Sequence, residues 1–168
     1  MSNPPSPSTR DGLHIALLAR AAPGEPHDPL IYAAELATAL QKAGLQVHIL
    51  GDQPPAVDLP FYHVETPAAE SADPVADARR FCAAAVHGLS RLSELRGPFP
   101  IRHACSWSTA PAALSARRHG GARAAVTFLD TLFMRTGQCG GDRLTTQIRN
   151  LEQQAVREAD LVIAGHEE

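Results

Sequence analysis

Apolar positions along the chain come in short runs separated by stretches of helical spacing. Residues 13–19, LHIALLA, form an apolar run between charged and Pro/Gly-containing segments, the pattern of a buried parallel strand. Asp28-Pro29 then opens a helix: the Asp accepts from free N–H groups and the Pro suits the first turn. Ala33, Leu36, Ala37 and Leu40 repeat at helical spacing, and Gly44 stands where a left-handed residue ends the helix. LQVHIL (45–50) is a second strand, so 13–50 predicts a right-handed strand–helix–strand unit. A Pro-rich loop over 51–60 leads to a short third strand, FYHV (61–64). Asp73-Pro74 repeats the capping device, and Val75, Ala78, Cys82, Ala85, Leu89 and Leu92 mark one face of a long helix that Gly97-Pro98 stops. FPIRHA (99–104) predicts a fourth strand, followed by a helix over about 109–119 that ends at Gly120-Gly121. ARAAVTFL (122–129) predicts a fifth strand. A Gly-rich loop, Gly137 to Gly141, leads to a helix with Leu144, Ile148, Leu151 and Ala155 inward, and LVIAG (161–165) is a sixth strand. This alternation predicts one α/β domain, a Rossmann-like doubly wound parallel sheet of about six strands flanked by helices. The domain is expected over 12–168, behind a disordered tail at 1–11.

Composition narrows the function classes. With 168 residues, 44% of them hydrophobic, the chain is long enough for one core without staples; at that size folding buries roughly 70% of the surface of the unfolded chain. The formal charge is −3 and no basic run occurs, which argues against nucleic acid as a partner. The apolar runs are strand-sized, so no transmembrane segment is expected. The start, MSNPPSPSTRDG, is polar and unlike a signal peptide. Cys82, Cys105 and Cys139 form no CxxC pair and leave one over from any disulfide, which points to a reduced, cytoplasmic setting. The loop after the first strand carries neither GxGxxG nor GxxxxGK[ST], so an unrelated nucleotide-binding Rossmann protein is the weakest reading.

Three segments carry a resemblance. IALLARAAPGEPHDPLIYAAELATALQKAGLQVHIL is similar to the opening of family-4 glycosyltransferases of the GT-B fold, with the helix pattern "ELA.AL...G" between two strands. IRHACSWSTAPAALSARRHGG resembles the family's "HxHxW...A..." segment. AVTFLDTLFMRTGQCGGDRLTTQIRNLEQQAVREADLVIAG resembles its "V.T.H......G........E..A...AD.VI.VS" segment. The resemblance runs over about 13–166 and implies the N-terminal, acceptor-side domain of a retaining enzyme built from two facing Rossmann-like domains. The C-terminal domain of such enzymes holds most of the sugar nucleotide. This chain is expected to lack it.

In an open parallel sheet, ligands bind beyond the carboxyl ends of the strands. Three loops therefore matter: 20–28, 103–108 and 129–141. In the first, Pro26-His27-Asp28 stands where the family has a Gly-Gly pair. Arg20 or His27 is placed to bind an anion, Arg20 being the phosphate candidate, against a plain reading of solvated loop residues and a capping Asp28. In the second, His103 and Trp107 match the first His and the Trp of the family pattern, and Cys105 replaces its second His. A hydroxyl-binding His and a sugar-stacking Trp stand against a structural His and a packing Trp. His103 and Cys105, with Cys139 far off, fall short of a zinc set, so no metal is expected. In the third, Phe128 and Leu129 follow Thr127, so the family's His two residues after the Thr is missing. Asp130 is a polar substitute or a helix cap. Arg135 and the glycines 137, 140 and 141, Gly137 first among them, are phosphate contacts or parts of a plain surface loop. Glu152 matches a family Glu and is expected on a polar face beside Gln153 and Glu158, solvated or structural.

Two functions follow from the resemblance. One is the acceptor-side half of a sugar-nucleotide-dependent retaining glycosyltransferase, inactive alone because transfer needs both domains. The other is a non-catalytic binding or interaction module that kept the sheet and lost the site, which the missing Gly-Gly, Cys105 and Leu129 favour. The expected partners are a sugar acceptor or sugar nucleotide together with a second domain or subunit. A domain made to face another across a cleft exposes apolar surface, so a homodimer or partner subunit is expected as well. No cofactor is expected, the sugar nucleotide being a substrate.

Overall fold

A computed structural model describes residues 13–21, 28–67, 73–129, 131 and 142–165, without the side chains of 116–120. The expected tail at 1–11 and the glycine-rich loop from Gly137 to Gly141 lie outside the described residues. The chain runs β1 (His14–Leu18), α1 (Pro29–Lys42), β2 (Gln46–Gly51), β3 (Phe61–His63), α2 (Pro74–Arg96), β4 (Ile101–Ala104), α3 (Ala110–Gly120), β5 (Arg123–Phe128), α4 (Arg143–Glu158) and β6 (Leu161–Ala164). All six strands are parallel, in the order β3-β2-β1-β4-β5-β6. The expected doubly wound, Rossmann-like sheet is therefore the observed one.

The helices begin where their caps require. Asp28 accepts from Leu30 N at 2.8 Å, Asp73 from Val75 N at 2.9 Å, and Asp142 from Thr145 N at 2.8 Å. Each bond satisfies an N–H that the first helical turn leaves without a partner.

Alternation along the strands divides the core into two layers. Ile15, Leu17, Ala19, Val47, Ile49 and Cys105 face α1, against its Leu30, Ala33 and Ala37. Ala16, Leu18, Leu50, Ala104, Ala124, Val126 and Phe128 face α2, α3 and α4. Right-handed crossovers produce this division: the move from β1 to β2 carries α1 over one face, and the opposite-going moves carry the other helices over the second. The six apolar positions read from the α2 periodicity are all buried.

Two expectations are corrected. The fourth strand begins at Ile101 rather than Phe99. Pro98 and Pro100 have no N–H to give a ladder, and Phe99 turns into the core instead, edge-on to His14 and His48. Those two rings stack at 5.7 Å and 8° at the amino end of the sheet. Burial first, then the neighbouring His14 and Arg96 charges, lowers the pKa of His48. The second correction is Glu152, which is buried rather than on a polar face. It lies four residues after Ile148 and three before Ala155, hence on the inward stripe of α4.

The end of β2 depends on one close approach. Ala19 N donates to Leu50 O at 3.0 Å, which brings the backbone after β1 across Gly51. A Cβ at Gly51 would stand 2.7 Å from Ala19 O. Because the opposing atom is backbone, relief requires moving β1 or β2. Gly51→Ala is expected to lower the unfolding free energy by about 2 kcal/mol, read as a fall in the urea midpoint at unchanged slope. A midpoint within error of wild type would show that the strands separate freely there.

Candidate functional site

β1 is hydrogen-bonded to both β2 and β4, so the chain leaves it in one direction and later returns on the other side. The crevice of such a sheet opens at this reversal, beyond the carboxyl ends of β1 and β4. The carboxyl ends of β1, β4 and β5 lie at that same edge.

Arg20, two residues past β1, is taken up by carboxylates. Its guanidinium pairs with Asp77 on α2, lies 3.8 Å from Asp52 Oδ2, and stacks over the Phe81 ring at 5.4 Å. Asp77 also receives Arg80 at 3.1 Å. The hydrogen bond from Arg20 is the main reason the Asp77 carboxyl titrates below its ordinary range. Asp52 in turn accepts from Ala21 N at 3.2 Å. The proposed phosphate contact of Arg20 would therefore compete with two carboxylates. His27 lies outside the described residues.

After β4 the chain goes inward. Cys105, Ser106, Trp107, Ser108 and Thr109 are all buried. Cys105 is 0% exposed, in the layer beneath α1, and burial pushes its thiol far above the ordinary range. Trp107 packs in the opposite layer with Ala110 and Ala113, so its ring is a core ring rather than an open stacking platform. The hydroxyls make the turn into α3: Ser106 and Ser108 are bonded at 2.8 Å, Thr109 Oγ1 donates to Ser106 O at 3.2 Å, and Cys82 Sγ donates to Ser108 O at 3.2 Å.

His103, another sequence-predicted residue, joins a network of hydroxyls. Its Nε2 lies 2.7 Å from Thr127 Oγ1 on β5, and the same hydroxyl lies 3.0 Å from Tyr32 OH on α1. The Tyr32 ring meets the imidazole edge-on at 6.3 Å. Burial pushes the His103 pKa down to about 4, so the ring is neutral at neutral pH. Burial likewise raises the Tyr32 phenol. Sequence reasoning missed Tyr32, although the signal was present. Tyr32, Leu36 and Leu40 repeat every four residues along the inward side of α1, and all three pack on the layer beneath it.

The loop after β5 is described only in part. Leu129 follows the strand, its Cα and carbonyl close against Gly165. Asp130, Arg135 and Gly137 lie outside the described residues, as do Gly140 and Gly141. Among the described residues no three His, Cys, Asp or Glu side chains come together as a metal would require. No described helix is long and apolar enough to cross a membrane. A groove of about 700 Å³, lined by Ile31, Ala34, Thr38, Pro54 and Val57 among others, runs along the outer side of α1.

Two outcomes follow from this geometry. Below pH 6.5 an unfolded His103 takes up a proton that the folded one refuses until about pH 4. Stability is full above the unfolded pKa and falls as pH drops between these values, by about 3 kcal/mol at 1.36 kcal/mol per unit. His48 acts in the same direction, so comparison with His103→Gln isolates the part due to His103. Equal slopes of stability against pH in the two proteins would show that His103 titrates normally. Second, Cys105→His forces a larger polar ring into a sealed layer and is expected to cost about 2–4 kcal/mol. An unchanged thermal midpoint would show that position 105 can open toward the crevice.

The chain matches the family model described as glycosyl transferase 4-like domain over residues 29–168. No curated protein matches it. Among solved structures, sucrose-phosphate synthase from Thermosynechococcus elongatus superposes with TM-score 0.65 at 15% identity, over 89% of this chain and 41% of that one. The catalytic domain of starch synthase IV from Arabidopsis thaliana, bound to ADP and acarbose, gives 0.60 at 18%, over 90% and 44%. A UGT transferase from Siraitia grosvenorii in complex with UDP gives 0.58 at 12%, over 89% and 41%. The chain thus spans well under half the length of these three solved chains. The match over 29–168, with the six-stranded parallel sheet, shows that the chain belongs to the glycosyl transferase 4-like domain family and has the fold of a GT-B N-terminal domain.

Proposed function

We propose that this chain is the acceptor-side half of a sugar-nucleotide-dependent retaining glycosyltransferase and is inactive by itself. The observation that carries the reading is the extent of the likeness. Nine-tenths of the chain superposes on about two-fifths of three glycosyl-transfer enzymes, two of which hold ADP or UDP in their structures. Chemistry in a cleft needs groups on both sides of the transferred sugar, to orient the acceptor hydroxyl and to stabilise the leaving diphosphate. The crevice end of this domain offers a neutral His103 network for a hydroxyl. Its one described crevice arginine, Arg20, is already paired with carboxylates. That division suits an acceptor wall, with the diphosphate held by a second domain or subunit.

In this reading the acceptor is a sugar or another hydroxyl compound, the sugar nucleotide is a substrate, and neither metal nor nucleotide cofactor is required. The setting is cytoplasmic. The edge strand β6, whose Leu161, Val162 and Ile163 are all exposed, fits an additional domain, a partner subunit or a second copy.

One observation favours a second reading, a non-catalytic interaction module descended from the same family. Cys105, which stands for the family's second His, is sealed in the core. The test is an assay of the purified chain with UDP-, GDP- and ADP-glucose, following free nucleotide and transferred sugar. No release above the protein-free background is expected; sustained turnover by the chain alone would sink the proposal.

A further inference from the structure

We propose that Tyr32 and Thr127 are positioning residues that hold His103 as a single neutral tautomer, with the proton on Nδ1, to donate to a neutral oxygen in the crevice. This deepens the acceptor-side reading and rests on it for the identity of the oxygen, a hydroxyl rather than a phosphate.

Three elements contribute one polar side chain each: Tyr32 from α1, Thr127 from β5 and His103 from β4. Thr127 Oγ1 is the centre, 3.0 Å from Tyr32 OH and 2.7 Å from His103 Nε2. A hydroxyl gives one proton and can accept two, but Thr127 Oγ1 has no third partner among the described residues to take its proton, so using that proton inside the network leaves two directions. Either Tyr32 donates to Thr127 and Thr127 to Nε2, or Nε2–H donates to Thr127 and Thr127 to the phenol oxygen. A phenol is the more acidic hydroxyl, and a neutral imidazole nitrogen is the best acceptor of the three. Both preferences select the first direction. Nε2 is then the acceptor, and the ring proton resides on Nδ1.

Nδ1 is also the atom left over. It has no hydrogen-bond partner among the described residues, and it is not among the fully buried side-chain atoms that lack one. The imidazole is therefore bonded at Nε2 and, among the described residues, without a partner at Nδ1, near the carboxyl end of β4 where the sheet order reverses. An N–H held there by a buried relay recognises an oxygen lone pair without contributing a charge. Burial keeps the ring uncharged, with a pKa near 4, which suits a hydroxyl oxygen and disfavours a phosphate. Arg20, on the α2 side, does not alter this, because Asp77 and Asp52 meet its charge. Each member has a distinct part. His103 makes the contact, Thr127 sets the tautomer, and Tyr32 sets the direction of Thr127.

The experiment is nitrogen-15 NMR of the whole purified chain with labelled histidine, the His103 signals being assigned by their loss in His103→Gln. At pH 7 the wild type is expected to show a protonated-type Nδ1 and an imine-type Nε2. Thr127→Val should abolish this split in favour of an averaged or Nε2–H pattern, and Thr127→Ser should restore it. Tyr32→Phe, which keeps the ring packing, should move the split part of the way. Inorganic phosphate at tens of millimolar should leave the His103 signals in place. A wild-type proton on Nε2, or a split unchanged in Thr127→Val, would overturn the relay. A phosphate-induced shift toward the doubly protonated ring would overturn the hydroxyl assignment. If Thr127→Val does not fold, the wild-type tautomer and the Tyr32→Phe spectrum decide. These signals do not depend on turnover, so the relay can fail while the glycosyltransferase reading stands, and the reverse.

Discussion

The hydrogen bonding of β1 to two neighbours from distant parts of the chain sets the rest of the molecule. Because β1 ladders with β2 on one side and β4 on the other, the first connection covers one face with α1 and the later ones cover the second. A parallel sheet brings the carboxyl ends of all its strands to one edge, where side chains after different strands meet. Strand alternation then decides which of them share a face. His103 and Cys105 are two residues apart and point to the α1 side, while Ala104 and Trp107 lie in the other layer. On the α1 side, Tyr32 of α1 reaches across to Thr127 of β5.

Two polar groups with little exposure beside this reversal solve the same problem by different chemistry. Arg20 brings a guanidinium charge to a largely covered position, which calls for negative partners, and Asp77 and Asp52 supply them. His103 can shed its proton, so hydroxyls suffice and the ring stays neutral. The consequence for function is directional. A paired arginine holds β1, β2 and α2 together and has little charge left for a ligand. A neutral imidazole with no partner at Nδ1 among the described residues keeps its capacity to contact one.

What was legible in the sequence was what local chemistry decides. Asp28-Pro29 and Asp73-Pro74 started helices because the cap needs only its own next turn, and the α2 stripe was readable because every member points to one layer. Phe99 misled because a strand-like apolar residue between two prolines has no ladder to join. Glu152 misled because its polar neighbours suggested a face that its helical spacing contradicts. The site was harder still. Cys105 and Trp107 sat at the right positions of a motif, yet their exposure depends on how α1 covers one face of the sheet and α3 the other, which no window of sequence contains. Tyr32 carried a helical-period signal, but its partner Thr127 is 95 residues away.

The same separation explains how family membership can be plain while the site stays open to argument. Identity of 12–18% to the solved relatives is enough to keep the fold, because small apolar side chains at alternating positions substitute for one another within two layers. A catalytic wall depends instead on a few atoms. Cys105 illustrates the difference: a thiol is small and apolar enough to fill a sealed position between β4 and α1, so packing accepts it where a charged or hydrogen-bonding contact would not. Packing imposes the opposite demand on His103, since a buried imidazole is tolerated only with a partner, and Thr127 is that partner. The network that makes His103 acceptable to the core is thus the one proposed to orient it toward the crevice, so its structural role and its proposed one rest on one hydroxyl.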